Sequence, residues 1–247
     1  MIVIKSESEL DHMRESCRIA ARVRDALVRL VAPGMRTREL SASAAEMIRE
    51  AGAESAFLGY RGYPGAICVS VNETVVHGIP GDRMIGIGDL VSLDIGVRHG
   101  GFVGDTAVTV IVGTVDPMRV KLVRTAERAL AAAIAVAREG NRLSDVSAAI
   151  QREAESAGYS VVREFVGHGI GRQMHEDPQV PNFGVAGRGP ILKRGMTLAI
   201  EPMVNQGRSE VEVLEDGWTV VTRDRLPSAH VEHTIAVRDG DAEIMTA

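Results

Sequence analysis

The sequence predicts an α+β protein made of two similar halves, each running helix, helix, then strands. Three observations predict it. Apolar residues recur at helical spacing in four segments, and short β-branched-rich runs follow each helix pair. The segment GMRTRELSASAAEMIREAGA (34–53) aligns without gaps with GNRLSDVSAAIQREAESAGY (140–159), with glycine, arginine, serine, alanine and the closing Ala-Gly at matching places. GDLVSLDIG (88–96) aligns with GMTLAIEPM (195–203), which sets Asp94 opposite Glu201. Alanine-rich helices can match by chance; an acid recurring in the same register argues against coincidence. The expectation is one domain over 1–247, in halves of about 1–115 and 116–247, with a site where the two strand sets meet.

The elements follow in order. A first helix is expected over 6–31: Ser6 and Glu9 match a capping box, and Leu10, Met13, Cys17, Ala20, Leu27 and Leu30 form the apolar stripe. Pro33-Gly34 stops it. A second helix over 37–51 ends at Gly52. The loop FLGYRGYPG (57–65) leads to strands in ICVSV (67–71), LVSLDIGV (90–97) and TAVTVIVG (106–113), with turn signals such as GIPGD between them. Asp116-Pro117 opens a third helix reaching about 138, with Asp as N-cap and Pro at the first helical position. A fourth covers about 144–157 and ends at Gly158. Strand-like runs return in SVVREFV (160–166), TLAIEPMV (197–204), WTVVT (218–222) and HVEHTIAV (230–237).

Composition narrows the class. With 45% apolar and 25% charged residues, the 247-residue chain is of ordinary globular make-up. A chain this long buries roughly 70–75% of its unfolded surface. A net charge of -5 argues against a broad nucleic-acid-binding face, and Arg14, Arg18, Arg22, Arg24 and Arg29 read as a solvated helix face. Cys17 and Cys68 have no CxxC partner, so a reduced, cytosolic location is expected. No apolar run is long enough to span a membrane, and the N-terminal stretch is unlike a signal peptide.

The chemistry lies in four carboxylates inside apolar strand-like runs: Asp94, Asp105, Glu201 and Glu232. An unpaired ionised carboxylate there costs several kcal/mol, so it neutralises or finds a partner. The arginines and lysines lie mostly on helices and turns, which makes metal ions the simplest common partner. His168, in the glycine-rich VGHGIGRQMHEDP (166–178), completes a mixed oxygen and nitrogen set that suits a pair of divalent transition ions. Four negative charges against two divalent ions come near neutrality, and the expected reaction class is metal-assisted hydrolysis. His77 in VVHGIP and His175 in MHEDP sit beside turns in the same region and are expected to act with the set. His12, His99, His230 and His233 show no such context; His233 follows Glu232, so in a strand it faces the other way. The two tyrosines of FLGYRGYPG, Tyr60 and Tyr63, read as a pocket wall, and Trp218 follows the turn signal Asp216-Gly217.

These motifs together resemble the type I methionine aminopeptidases of the short bacterial form, in the peptidase family with the pita-bread (creatinase/aminopeptidase) fold. The carriers span the chain: GYPGAICVSVNETVVHGIP, LVSLDIGV, GDTAV, VGHGIGRQMHEDPQVPN, GMTLAIEPM, EDGWTVVTRDR and VEHTI. The resemblance implies an antiparallel sheet core covered by helices. It implies that Asp94, Asp105, His168, Glu201 and Glu232 bind two divalent ions (Co, Mn, Fe or Zn), with Asp105 and Glu232 bridging. It implies that His77 and His175 contact the scissile peptide and that Glu201 shuttles a proton. Phe57, Tyr60, Tyr63, Cys68, Met174 and Trp218, with His77 and His175, fall at substrate-pocket positions. The implied reaction is removal of the N-terminal methionine of nascent polypeptides when the second residue is small, by a monomer that associates transiently with the ribosome. Phe57, Arg61, Val103 and Met174 depart from residues common in the family. Two alternatives remain on the same fold: an Xaa-Pro aminopeptidase or prolidase, and a binding protein without catalysis.

Overall fold

The computed structural model describes residues 1–247. Four helices form: α1 (Glu7–Leu30), α2 (Thr37–Glu50), α3 (Pro117–Val136) and α4 (Leu143–Ser156). Their ends follow the sequence signals. Ser6 and Glu9 make the capping box, and the Asp116 side chain accepts from the Met118 N–H at the start of α3. The two halves agree in detail. α2 and α4 are each 14 residues long. Gly34 and Gly140 precede them, and Gly52 and Gly158 follow them, all with positive φ.

A nine-stranded antiparallel sheet joins both halves. Along it run Glu54–Ser55, Leu90–His99, Phe102–Ile111, Glu232–Ala236, Thr197–Ile200, Gly167–Gly169 and Glu176–Val180. The seam lies where Glu232–Ala236 pairs with Phe102–Ile111, Glu232 opposite Ala107. One apolar cluster packs α1 and α2 on the strands of the first half; another packs α3 and α4 on those of the second. Gly104 lets α1 approach, since a Cβ there would stand 2.6 Å from the Cys17 Cα.

Four expectations need correction. SVVREFV forms only the two-residue strand Ser160–Val161, because Arg163 and Glu164 turn to solvent and Phe165 turns toward His77. TLAIEPMV divides into Thr197–Ile200 and Met203–Asn205: Pro202 has no N–H to give a ladder, and the chain changes sheet there. HVEHTIAV divides likewise at Val231, whose N–H donates to the Pro202 carbonyl at 3.3 Å. Leu30 is exposed, and Val28 and Val31 take its place against the core.

Candidate metal centre

Strand register gathers the acids. Residues directly opposite in antiparallel strands share a face, and so do residues two apart in one strand. Asp94 and Glu232 lie opposite Ala107 from its two sides, and Asp105 is two residues before it. His168 lies opposite Ala199, itself opposite Thr234, two residues beyond Glu232. Glu201 follows Ala199 by two. All five side chains therefore leave one face of the sheet at the seam between halves. Gly96, on the same face, lets the Phe57 ring come close: a Cβ there would stand 2.6 Å from it.

All five line one cavity of about 200 Å³, with Phe57, Tyr60, Arg61, Tyr63, Cys68, His77, Met174, His175 and Trp218 as its walls. Asp105 and Glu232 are buried. Asp94 Oδ1, Asp105 Oδ1 and Glu232 Oε1 are buried without a hydrogen-bond partner. Burial first, and then the neighbouring acids, push the carboxyls of Asp94, Asp105 and Glu232 above the usual carboxylate range; burial does the same to Glu201. Ligand atoms of Asp105, His168 and Glu232 lie within 4.8 Å of one another.

His168 decides what such a cluster can hold. Its Nδ1 lies 2.9 Å from the Gly169 carbonyl, which only accepts, so Nδ1 carries the proton. Burial pushes its pKa down to about 3, so the ring is neutral. Its Nε2 lone pair then faces Glu201 Oε1 at 3.5 Å and Asp105 Oδ2 at 3.9 Å. Electron-rich atoms held this close call for a cation, and a backbone carbonyl on the other ring nitrogen is the usual support of a metal-ligating histidine. The donor set fits divalent transition ions.

The walls are held as firmly. His77 has φ 58, a left-handed conformation worth roughly 1–3 kcal/mol of strain in a non-glycine residue. Its neighbour Gly78 is clamped: the Gly78 carbonyl accepts from the Tyr63 hydroxyl at 2.9 Å, and its N–H donates to Ser70 Oγ at 3.1 Å. A Cβ on Gly78 would fall 2.4 Å from the Val69 carbonyl oxygen. Burial lowers the His77 pKa to about 4. His175 Nδ1 shares a 2.8 Å hydrogen bond with the Tyr60 hydroxyl. Trp218 packs edge-on to Tyr63, after a turn in which Asp216 accepts from the Trp218 and Thr219 N–H groups at 2.8 Å. Gly65, in the loop that carries the two tyrosines, is tightly packed: a Cβ there would be 2.8 Å from Pro80.

Two residues of the site escaped the sequence reading. His230 is buried, with an unpartnered Nε2 that stands 3.6 Å from Glu201 Oε2. Its spacing of two from Glu232 was the available signal. Thr234 fixes the Asp105 backbone at both ends, its Oγ1 accepting from the N–H at 3.1 Å and donating to the carbonyl at 2.8 Å. His233 faces away, as expected, and bonds Thr246 Oγ1 at 2.8 Å.

Residues 11–239 match the family model of metallopeptidase family M24. The chain belongs to metallopeptidase family M24. Within that family it is 48% identical over 246 residues to methionine aminopeptidase 1 of Bacillus subtilis, covering 100% of this chain and 99% of that one. The structure of a methionine aminopeptidase from Thermotoga maritima superposes with TM-score 0.98 at 45% identity, covering 100% of this chain and 99% of that chain. A prolidase from Pyrococcus furiosus, at 22% identity and TM-score 0.82, shares the fold over 99% of this chain and 65% of its own. The M24 pita-bread architecture is thus the one this chain adopts, and divalent-metal use goes with the family.

Proposed function

We infer that this chain removes the N-terminal methionine from nascent proteins and peptides when the second residue is small. Asp94, Asp105, His168, Glu201 and Glu232 would hold two divalent ions. Two ions bound there lower the pKa of a water toward neutrality and polarise a carbonyl. The observation that carries this reading is the set of buried carboxylate oxygens without partners, facing a neutral His168 lone pair.

The chain's own groups do the rest. Phe57, Tyr60, Tyr63, Cys68, Met174 and Trp218 enclose an apolar, polarizable side chain, and the small cavity has room for about one residue. His77 and His175 are neutral donors for the oxygen of the scissile carbonyl as negative charge develops on it. When the Tyr60 hydroxyl donates to His175 Nδ1, the His175 Nε2–H is left free for that oxygen. Glu201, on the lip between the two sheets, accepts a proton from water and returns it to the leaving amine. His230 Nε2 faces the far oxygen of Glu201 at 3.6 Å, on the side away from His168. Residues 1–247 act as one catalytic domain whose halves meet at the site.

Cobalt, manganese, iron and zinc all suit the donor set. The chain works as a monomer in the cytoplasm, associating transiently with the ribosome that supplies its substrates. Two free, buried cysteines accord with a reducing compartment, and no helix is long and apolar enough to cross a membrane. The test is release of free methionine from Met-Ala-Ser with Mn(II) present, beside Met-Leu-Ser and an Ala-Pro peptide. Release from Met-Ala-Ser, little from Met-Leu-Ser and none that chelation leaves intact is expected. Cleavage of the Ala-Pro peptide with Met-Ala-Ser untouched overturns the reading.

A further inference from the structure

Arg61 stands apart from the other walls of the cavity. It is exposed at the mouth, and it is the one arginine or lysine among the lining residues. It sits in a tight turn, Tyr60–Gly62, between Gly59 at φ 79 and Gly62 at φ 88, and itself takes φ 48 and ψ 27. That left-handed conformation is uncommon for a residue with a side chain. The turn presents Tyr60 and Arg61 together: the guanidinium lies 5.4 Å from the Tyr60 ring centroid, and the Tyr60 hydroxyl holds His175. No carboxylate of the chain lies within ion-pair distance of Arg61. Its charge is nonetheless felt in the cavity, where, after burial, it is what lowers the His175 pKa.

The charge balance gives that guanidinium a use. On the reading above, four floor carboxylates are matched by two divalent ions. Arg61 then leaves the mouth with a net positive charge. Asp216, two residues before the wall residue Trp218, is already engaged by the Trp218 and Thr219 N–H groups and the Thr219 hydroxyl. A planar guanidinium without an ionic or hydrogen-bond partner in the protein is matched to a carboxylate, which it binds through two parallel hydrogen bonds. The first substrate residue fills the cavity and the second must be small, so the first side chains able to reach the mouth belong to the third and fourth residues.

We propose that Arg61 is a specificity-determining residue that binds acidic side chains of the substrate beyond its second residue, so that acidic third or fourth residues are preferred over basic ones. This rests on the methionine-releasing activity inferred above. Because the contact lies at a solvated rim and is made before and during reaction alike, it acts mainly through KM. Rim charge pairs of this kind change kcat/KM by about threefold to fivefold at low ionic strength. The preference fades near 1 M salt, where the screening length is about 3 Å.

The test uses C-terminally amidated tetrapeptides, so that only side chains carry the charge: Met-Ala-Asp-Ser against Met-Ala-Lys-Ser, and Met-Ala-Ser-Asp against Met-Ala-Ser-Lys, with Met-Ala-Ser-Ser as the neutral reference. The full chain is assayed with Mn(II). An acid-to-lysine ratio of about three to five is expected in at least one pair, carried by KM and lost at high salt. Arg61→Asn, which tolerates the left-handed turn, brings the ratio to about one, and Arg61→Glu takes it below one. A ratio at or below one in the parent, or one that survives Arg61→Asn, overturns the proposal. If no peptide, the neutral reference included, yields methionine, it is the activity itself that fails, which is a different result.

Discussion

Replacing Asp105 with Asn should make the metal-stripped protein more stable and the metal-loaded one less so. Asp105 and Glu232 are 3% and 2% exposed, and their ligand atoms are within 4.8 Å. Two full charges at that separation repel by about 3.5 kcal/mol at an effective dielectric of about 20. Only part of that is felt, because a carboxyl can escape repulsion by taking up a proton, and burial already pushes both toward the protonated form. Relief of even a third of it raises the melting temperature by about 2–4 °C in a chain of this size. The parent regains more than that on loading: a ligand at a hundred times its Kd contributes about 2.7 kcal/mol. Differential scanning calorimetry at pH 7.5, with chelator and then with Mn(II), reads both effects. Metal-free Asp105→Asn should melt above the metal-free parent, and Mn(II) should raise the parent far more than the variant. If the metal-free variant melts lower, or both gain equally from Mn(II), Asp105 is not a buried, metal-compensated acid and the reasoning fails.

Other outcomes follow from the same geometry. His77→Ala should lower kcat by about 10²–10³-fold, the usual cost of losing one oxyanion donor, while calorimetric Mn(II) affinity stays within a few-fold of the parent. Gly169→Ala places a Cβ 2.1 Å from the Asp177 carbonyl oxygen, and a drop of about 1–3 kcal/mol in urea-unfolding stability is expected, with weaker metal binding as His168 shifts. Glu243 links the chain's end to α1: its hydrogen bond and charge pairing with Arg14 and Arg238 bring its pKa down to about 2. A carboxyl depressed in the folded state lends stability above its unfolded pKa and loses it as pH falls through the folded value. Glu243→Gln should therefore cost about 1 kcal/mol at pH 7, after discounting for solvent, with the cost shrinking as pH falls toward 2, by thermal melts across that range.

Much of this architecture could be read before any coordinates, for local reasons. Ser6 with Glu9, Asp116 with Pro117, and Gly52 and Gly158 are signals that act within a turn, and the helices start and stop close to them. Asp94, Asp105, Glu201 and Glu232 stood out because a charge in an apolar strand is costly wherever the strand goes. The rest depends on partners far away in sequence. Whether SVVREFV extends as a strand depends on a neighbour to pair with, and the pairing stops after the Val162 N–H donates to the Met203 carbonyl at 3.0 Å. The break at Pro202 and the bend at Val231 meet each other through one backbone hydrogen bond, a coincidence of two segments that neither one announces. His230 was passed over because histidine in a strand is unremarkable alone; it becomes part of the site only when Glu201 arrives from another strand. Arg61 was visible as an odd residue between tyrosines, but its lack of an ionic partner needed the fold.

The measurement closest to the central claim is anomalous diffraction from a crystal equilibrated with Mn(II). Two peaks about 3.5–4 Å apart are expected. Between them they should be ligated by Asp94, Asp105, His168, Glu201 and Glu232, with Asp105 and Glu232 reaching both. A single peak, or manganese bound elsewhere while those five side chains stay free of it, contradicts the account.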